Sequence, residues 1–424
     1  MSGTAAATGT AAITGAAAVT GAAAVTGAAA VTGTVRFGSC DAEARWRPAD
    51  LATLPALRNP HSERLTREMD QLQAVLCAPG DTLLTNRQPP SAFTELMRVA
   101  GFGARHLAVP GDPAEPVERR LAAHPVPGLA GMAAAPYAVL DGTAEALARQ
   151  GLAGTAPPLE AVRLVNSKTW TTRLGHSGSG RVVTGLADLR AAVEETGPCV
   201  VKDPYGVSGQ GNLVLESPER LAFLERHLTR EVERRGARIE LVVQQLHRPA
   251  EDFAAHLTVG SDGRVHWHGI RQVLNDGHAY RGSDRPSADL LARLERAGYR
   301  ETAESVAAAA AAAGYRGPLA VDSMTTADGT LVPVLEVNAR LSPGTIAQRL
   351  DARLELRLVP VDGDDWFDRL VDALDRARLL ATAGRPGLLP LAAGTLAAPR
   401  GWLFLAVLGD ADPVPLAPVL ERLT

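Results

Sequence analysis

Residues 335–340 have the sequence LEVNAR, and this stretch decides the fold assignment. Glu336, Asn338 and Arg340 alternate with apolar residues, and residues two apart on a strand point to the same face of a sheet. A carboxylate, an amide and a guanidinium are therefore predicted to share one strand face. The same alternation is also typical of a strand whose polar side faces solvent, so the surrounding sequence has to decide between the two interpretations.

Asp322 ends the preceding predicted strand, residues 319–322, and a turn at residues 327–329 leads back into the strand that carries Glu336. Asp322 could then face that strand across the hairpin. Two carboxylates and an amide oxygen are hard oxygen ligands, which suit Mg²⁺ that bridges nucleotide phosphates. The candidate metal ligands are Asp322, Glu336 and Asn338.

Lysine is almost absent from the chain. Of 43 basic residues only Lys168 and Lys202 are lysines, which leaves 41 arginines. A lysine supplies a compact point charge that the planar guanidinium of arginine does not reproduce. Either lysine could therefore be needed as a compact point charge, and chance survival in an arginine-rich chain is the alternative.

A glycine-rich loop follows Lys202, between predicted strands at residues 199–202 and 213–215. Glycines let backbone amides approach a phosphate closely, and a serine adds a hydroxyl donor. The loop has neither the Gly-Lys-Ser/Thr ending of a P-loop nor the G-x-G-x-x-G order of a dinucleotide site, and an ordinary turn is the other interpretation. Its candidate phosphate-binding residues are Ser208, Gly209, Gln210 and Gly211.

Two arginines are candidate catalytic residues. Arg340 follows the predicted metal ligands, where a guanidinium can clamp a transferring phosphoryl group or a carboxylate. Arg271 and Arg281 flank a polar loop at residues 275–278 that could close on phosphates. A surface position is the alternative for both loop arginines, and Arg271 is taken as the second candidate.

The order of these features resembles that of the ATP-grasp ligases. In that superfamily a first lysine precedes a second lysine on a strand, and a glycine-rich loop, an apolar hinge strand and a Glu-x-Asn-x-Arg strand follow. The two lysines of this chain fall on the two lysine positions. The segments KDPYGVSGQGN (202–212) and NARLSPG (338–344) are most similar to the pheganomycin-type peptide ligases of actinobacteria.

The resemblance implies an α/β protein, α+β in its ATP-grasp part, in which an N-terminal open α/β pre-grasp domain precedes a two-lobed ATP-grasp domain. The predicted division is a disordered low-complexity tail (1–34), the pre-grasp domain (35–155), the ATP-grasp domain (156–350) and a C-terminal segment packed on the grasp (351–424). Residues 72–77 are predicted to form a strand and residues 287–313 one helix.

The resemblance also implies the nucleotide site. Lys168, Lys202 and the loop amides would hold the ATP phosphates, with Mg²⁺ on the ligands named above. The hinge residues Gln244, Gln245 and Leu246 would hold adenine, mainly through the Leu246 backbone, although the hinge usually carries an acidic residue. The ribose acid is Asp252 or Glu251, since a one-residue shift satisfies either.

The implied reaction uses ATP and Mg²⁺. A substrate carboxylate attacks the γ-phosphate, which gives an acyl phosphate and ADP, and an amine then displaces phosphate to form an amide or peptide bond, as in specialised-metabolite biosynthesis. The expected partners are a small-molecule carboxylate and an amine (an amino acid or peptide), and a homodimer is common in the superfamily. Two alternatives stay open: a carrier-protein thiol as acceptor, and a nucleotide-binding module that does not catalyse.

Composition argues against other classes. With 47 acids against 43 bases the net charge is -4, which argues against general binding to nucleic acid or membrane surfaces. No uninterrupted apolar run reaches the roughly 18 residues of a membrane helix. The three cysteines, Cys40, Cys77 and Cys199, have no metal-like spacing, so reduced thiols in a cytoplasmic protein are expected.

Overall fold

A computed structural model of the chain describes residues 33–56, 59–176, 178, 180–206, 211–277, 279–411, 413 and 416–423. These residues form three sheets: a four-stranded parallel sheet, a four-stranded antiparallel sheet and an eight-stranded antiparallel sheet. Among the described helices, none is long and apolar enough to cross a membrane.

The parallel sheet has the strand order β3-β2-β1-β4, and its strands are β1 (Thr34–Phe37), β2 (Thr82–Thr85), β3 (Arg105–Ala108) and β4 (Ala133–Pro136). Five helices are interleaved with these strands along the chain: α1 (Ala42–Trp46), α2 (Pro60–Arg67), α3 (Ser91–Val99), α4 (Val117–Ala123) and α5 (Thr143–Gln150). Residues of α4 and α5 pack with Val35, Phe37 and Leu84 in one core, and residues of α3 pack with Leu83 in another. Thr34, assigned above to the tail, begins β1 and donates its N–H to Asp81 Oδ1 at 2.7 Å. Residues 1–32 of the predicted tail lie outside the described part of the chain.

The prediction of a strand at residues 72–77 is wrong, because these residues belong to a 3-10 helix, Met69–Leu76. A short apolar run does not distinguish a strand from a buried helical segment. Here the run packs as a helix against the C-terminal part of the chain. The side-chain oxygen of Gln71 accepts the backbone N–H groups of Ala393 (2.8 Å) and Gly394 (3.1 Å), which holds the segment there.

The small antiparallel sheet has the order β5-β8-β6-β7, and its strands are β5 (Arg181–Val183), β6 (Cys199–Lys202), β7 (Asn212–Leu215) and β8 (Leu241–Gln245). Two short helices, α6 (Leu159–Val165) and α7 (Lys168–Arg173), precede it, and α8 (Leu186–Thr196) and α9 (Pro218–Arg235) cover it. As expected for a capped helix, α9 begins where the Ser217 side chain accepts the Arg220 N–H.

The large sheet has the order β13-β12-β9-β10-β11-β14-β16-β15. Its strands are β9 (Pro249–Val259), β10 (Val265–Asp276), β11 (Ala279–Asp284), β12 (Gly317–Thr326), β13 (Leu331–Asn338), β14 (Arg353–Pro360), β15 (Gly387–Pro390) and β16 (Arg400–Leu408). Alternate residues of β9 and β12, such as Phe253, Leu257 and Val321, pack in one core with α10 (Ala288–Arg296) and α11 (Tyr299–Ala312). The other face of these strands carries the candidate site and packs against α12 (Pro343–Leu350).

The one helix predicted at residues 287–313 is two helices, α10 and α11. Gly298, between them, has φ +65°, in the left-handed region that favours glycine, and this residue ends the first helical run.

Residues after 351 extend the large sheet by three strands and add α13 (Trp366–Arg376) and α14 (Leu416–Glu421). The extension begins where β14 pairs with β11, with Gly282 opposite Glu355. A Cβ on Gly282 would lie 2.1 Å from the Leu354 carbonyl oxygen, so only glycine fits at this crossing.

Candidate functional site

The strand register places the predicted metal ligands on one face. Asp322 on β12 lies directly opposite Glu336 on β13, and Ala320 lies opposite Asn338. Directly opposed residues project to the same side of a sheet. Asn338 Nδ2 donates to Asp322 Oδ2 at 2.9 Å, so the two carboxylates and the amide form one cluster, named here the acidic face.

Lys168 lies against the acidic face. It begins α7, where its backbone N–H donates to the Pro204 carbonyl at 3.0 Å. Its Nζ lies 2.8 Å from Glu336 Oε2 and also donates to the Gly206 carbonyl. The base of the glycine-rich loop and the acidic face are thus joined through one buried ammonium.

Lys202 ends β6, between Asn212 on β7 and Val242 on β8. Burial lowers the pKa of Lys202 to about 8; the Lys168 charge adds to this, while Glu336 and Asp322 oppose it. Both lysines of the chain therefore act electrostatically on the same two carboxylates.

The charges of the acidic face are unequal. Burial, and then the nearby charge of Glu336, raise the pKa of Asp322 to about 7, against the effect of Arg340 and Lys168. Burial would also raise the pKa of Glu336, but Lys168 and Lys202 hold it below its usual value. Two carboxylates that face each other in register repel each other, and a bound cation would relieve that repulsion.

The donor set fits Mg²⁺, since two carboxylates and an amide supply hard oxygen ligands and nucleotide phosphates could complete the coordination. No three His, Cys, Asp or Glu side chains gather as a metal site in the part of the chain that the structure describes. The acidic face has two such residues plus Asn338, so an ion there needs further ligands from the nucleotide.

Arg340 follows the acidic face and is buried. Its Nη2 donates to Asn338 Oδ1 at 3.3 Å, and its Nη1 donates to the Leu341 carbonyl at 2.9 Å and the Tyr137 hydroxyl at 3.4 Å. Its Nε and Nη2 both contact Glu43 Oε1. Burial would lower the pKa of Arg340, but the negative charge of Glu43 keeps it above its ordinary value.

Sequence reasoning missed two residues of this site. Glu43 lies on α1, 297 residues before Arg340, and no spacing marks it among the 47 acids. Asn166 has a local signal, since it stands two residues before Lys168. Its side chain holds the backbone of Ala339 by accepting that residue's N–H at 2.8 Å.

Only the end of the glycine-rich loop is described, since Ser208, Gly209 and Gln210 lie outside the described residues. Gly211 has φ +84°, and a Cβ there would lie 2.9 Å from the Gly206 Cα. Its carbonyl accepts the Asp203 N–H at 2.7 Å. The chain therefore enters and leaves the loop at nearly the same point, and glycine is required at the exit.

The hinge residues point in different directions. Gln244 is buried and donates its side-chain amide to the Gly178 carbonyl, whereas Gln245 is exposed. The Leu246 N–H donates to the Pro198 carbonyl at 3.0 Å, as an extension of the β6–β8 ladder. In this conformation the Leu246 backbone could therefore bind adenine through its carbonyl oxygen but not through its N–H.

The register distinguishes the two ribose candidates. Asp252 lies opposite Met324, two residues along from the Ala254–Asp322 pair, so it shares the face of Asp322. Glu251 lies on the other face, where it pairs with Arg293 of α10. Of the two acids, Asp252 is the one on the side of the acidic face.

The structure does not bring Arg271 against the acidic face. Arg271 lies opposite Ala254, which in turn lies opposite Asp322, so an intervening strand separates the two side chains. Its described hydrogen bonds go to the Ala347 carbonyl (2.8 Å), Gln348 Oε1 (3.0 Å) and Asp351 Oδ1 (2.9 Å). These contacts hold α12 on the sheet, and a catalytic role for Arg271 stays a prediction.

No protein-family model matches the chain. A curated relative, the [butirosin acyl-carrier protein]–L-glutamate ligase of Niallia circulans, is 27% identical over 303 residues, which cover 69% of this chain and 68% of that protein.

Solved structures show the fold. The ADP complex of an N5-carboxyaminoimidazole ribonucleotide synthetase superposes with a TM-score of 0.52 at 13% identity and covers 84% of this chain and 93% of its own. The Staphylococcus aureus N5-carboxyaminoimidazole synthetase with ADP gives 0.52 at 10% identity, over 93% and 97%. The chain has the ATP-grasp fold, as the sequence predicts.

Proposed function

We propose that the chain is an ATP-grasp ligase that uses ATP, forms ADP and activates a substrate carboxylate as an acyl phosphate, since it has the ATP-grasp fold and is 27% identical to a carrier-protein–glutamate ligase. The observation that carries the proposal is the convergence of Lys168 and Lys202 on the acidic face, beside Arg340. Positive and negative groups that meet in this way suit a polyphosphate with its counter-ion, and pure binding would not need the whole set.

The two lysines bind the phosphates in this proposal. Lys168, now paired with Glu336, exchanges that carboxylate for a phosphate oxygen, while Lys202 supplies a second charge at the end of β6. Asp322, Glu336 and Asn338 would hold Mg²⁺, which when bound neutralises charge on the phosphates. Asp252 binds the ribose, and the hinge around Leu246 binds adenine.

Arg340 stabilises the transferring phosphoryl group, which the substrate carboxylate attacks in line. The acyl phosphate hydrolyses unless water is excluded, so the site has to be closed to water during the reaction.

The acceptor in the proposed reaction is an amine, which gives an amide or peptide bond in specialised-metabolite biosynthesis. A carrier-protein thiol is the second candidate, and it is favoured by the 27% identical relative, which is named as a ligase of glutamate and an acyl-carrier protein. Both acceptors attack the same acyl phosphate, so the nucleotide and metal residues have the same roles in either reaction.

The test is to identify the nucleotide product. The protein is incubated with Mg–ATP and pooled amino acids or short peptides, with and without an acyl-carrier protein, and ADP is separated from AMP. Carboxylate-dependent ADP and phosphate support the proposal, and the acceptor that becomes acylated decides between amine and thiol. AMP with pyrophosphate would mean adenylation, and bound ATP that no substrate turns over would favour a binding module; either result contradicts the proposal.

A further inference from the structure

Glu43 is the residue beside the site that the proposed reaction leaves without a role. It lies on α1, next to the parallel sheet, yet its carboxylate contacts Arg340 at the end of β13. The side chains of Glu43 and Arg340 are both 8% exposed, so the pair is almost entirely removed from water. The parallel-sheet unit thus reaches Arg340 through the Glu43 ion pair and through the hydroxyl of Tyr137, which directly follows β4.

The geometry of the pair is not the one that stability alone would favour. An arginine and a carboxylate usually form two parallel bonds, one to each oxygen. Here Nε and Nη2 both contact Oε1, and Oε2 is buried without a described partner. Arg340 is at the same time held by Asn338, Tyr137 and the Leu341 carbonyl. The guanidinium is therefore fixed in orientation, with Nη2 between Asn338 of the acidic face and Glu43, and with Nη1 on the Leu341 carbonyl and the Tyr137 hydroxyl.

We propose that Glu43 is a positioning residue for phosphoryl transfer: it holds the Arg340 guanidinium against the acidic face, so the parallel-sheet unit completes the active site. The inference rests on the proposed function, since Arg340 must act on the transferring group. Glu43 itself touches neither nucleotide nor substrate in this arrangement. Its removal should therefore weaken the transition state and leave nucleotide binding unchanged.

The experiment compares Glu43→Gln with the wild type in the full chain. Glutamine keeps the size and one acceptor oxygen but removes the charge. The dissociation constant of Mg–ADP is measured with and without aluminium fluoride, which mimics the transferring phosphoryl group, and kcat and KM for ATP are measured where turnover is found. Glu118→Gln is the matched control, because Glu118 is a fully buried acid of the same unit that bonds Ser39 rather than Arg340.

We expect the dissociation constant of Mg–ADP for Glu43→Gln to lie within about twofold of the wild-type value. The decrease of this constant with aluminium fluoride should be smaller by roughly tenfold or more. Where turnover is found, kcat should fall by about 10- to 100-fold while the KM for ATP is unchanged. Glu118→Gln should change only the melting temperature. In the Arg340→Met background, Glu43→Gln should have no further effect, since the residue it positions is gone. That double variant also carries no unpaired buried charge, so it tests the proposal even if a single variant folds poorly.

The role of Glu43 would be overturned by wild-type tightening in Glu43→Gln, by an equal loss of tightening in Glu118→Gln, or by a further loss when Glu43→Gln is added to Arg340→Met. A parallel rise in the Mg–ADP dissociation constant would also overturn it, because the residue would then serve the binding site as a whole. If aluminium fluoride does not tighten Mg–ADP binding even in the wild type, the proposed phosphoryl transfer fails, and the role of Glu43 fails with it.

Discussion

At the scale of single residues, the site depends on the opposite charges of two partly buried carboxylates and the cations around them. Asp322 and Glu336 face each other in register, an arrangement that costs free energy unless opposite charges are close. Lys168 contacts Glu336 directly, while Lys202 acts on both carboxylates at longer range. A phosphate bound by the two lysines, together with a cation bound by the two carboxylates, would neutralise the charges of all four side chains.

Glu336→Gln should therefore weaken metal binding without unfolding the protein. Removal of one ligand charge is expected to raise the apparent KM for Mg²⁺ by about 10- to 100-fold and to lower turnover by roughly 100-fold or more. Glu355→Gln is the control, because Glu355 is a more deeply buried acid of the same sheet that pairs with Arg353 and Arg357 on β14, away from β12 and β13. Near-normal turnover of Glu336→Gln at low Mg²⁺ would contradict the metal assignment.

Lys202 should make ATP binding depend on pH. Its pKa of about 8 in the free protein means that the ammonium is largely intact at pH 7 and is lost as the pH rises. A bound phosphate stabilises the charged form, so ATP affinity should be constant below about pH 7 and fall by up to about tenfold per pH unit above about pH 8. Lys202→Arg should bind more weakly at pH 7, because the planar fork replaces a point charge, but without this slope. An equal slope in Lys202→Arg would assign the titration to another group.

Substitutions of Asp252 and Glu251 should have different effects on the KM for ATP, although the two residues are neighbours. Asp252→Asn is expected to raise the KM for ATP by roughly tenfold, because it removes a charged hydrogen bond to the ribose, with kcat little changed. Glu251→Gln removes an acid from the opposite face, where it pairs with Arg293, and should leave the KM for ATP unchanged. The reverse result would mean that β9 is shifted by one residue in solution.

At the scale of elements, the sequence predicts best where the pattern is local. The alternation of Glu336, Asn338 and Arg340 correctly predicts that these side chains lie together, because the two-residue period of a strand depends on no distant contact. The apolar run at residues 72–77 has no such period, and its helical form depends on packing against residues more than 300 positions later. The adenine-binding hinge stays a prediction, and the hydrogen bond that limits it, from the Leu246 N–H to the Pro198 carbonyl of a neighbouring segment, has no local signal in the sequence.

The pairing of β11 with β14 should tolerate no side chain at Gly282. In Gly282→Ala the new Cβ would meet the Leu354 carbonyl oxygen, so β14 must move and the sheet loses hydrogen bonds. We expect the free energy of unfolding to fall by about 3 kcal/mol or more, measured in urea. Gly103→Ala is the control, because a Cβ there meets nothing within 4 Å, and it should stay within about 0.5 kcal/mol of the wild type. Equal stability of the two variants would show that β14 is not seated on β11 in solution.

At the scale of the whole molecule, the least predictable features are contacts between distant parts of the chain. The Glu43–Arg340 pair joins α1 to the end of β13, and Arg47 of the same N-terminal unit contacts Asp203 Oδ2 at 3.1 Å beside the glycine-rich loop. Neither contact has a sequence period, so only the fold reveals them. Together they place the three sheets around one site, with the lysines on one side and the acidic face on the other.

This division predicts how ligands stabilise the molecule. Lys202 belongs to the small sheet, and Asp322 and Glu336 belong to the large one. A nucleotide should therefore stabilise the protein against unfolding only when its phosphates reach the lysines and its cation reaches the acidic face. At a free concentration of about 100 times the dissociation constant, Mg–ATP should add about 2.7 kcal/mol, seen as a rise in melting temperature. ATP with EDTA should give less than half of this rise, since the two carboxylates then repel the phosphates. Lys202→Ala should lose most of the rise while it melts near the unliganded wild type. Equal stabilisation with and without Mg²⁺ would show that the phosphates bind away from the acidic face.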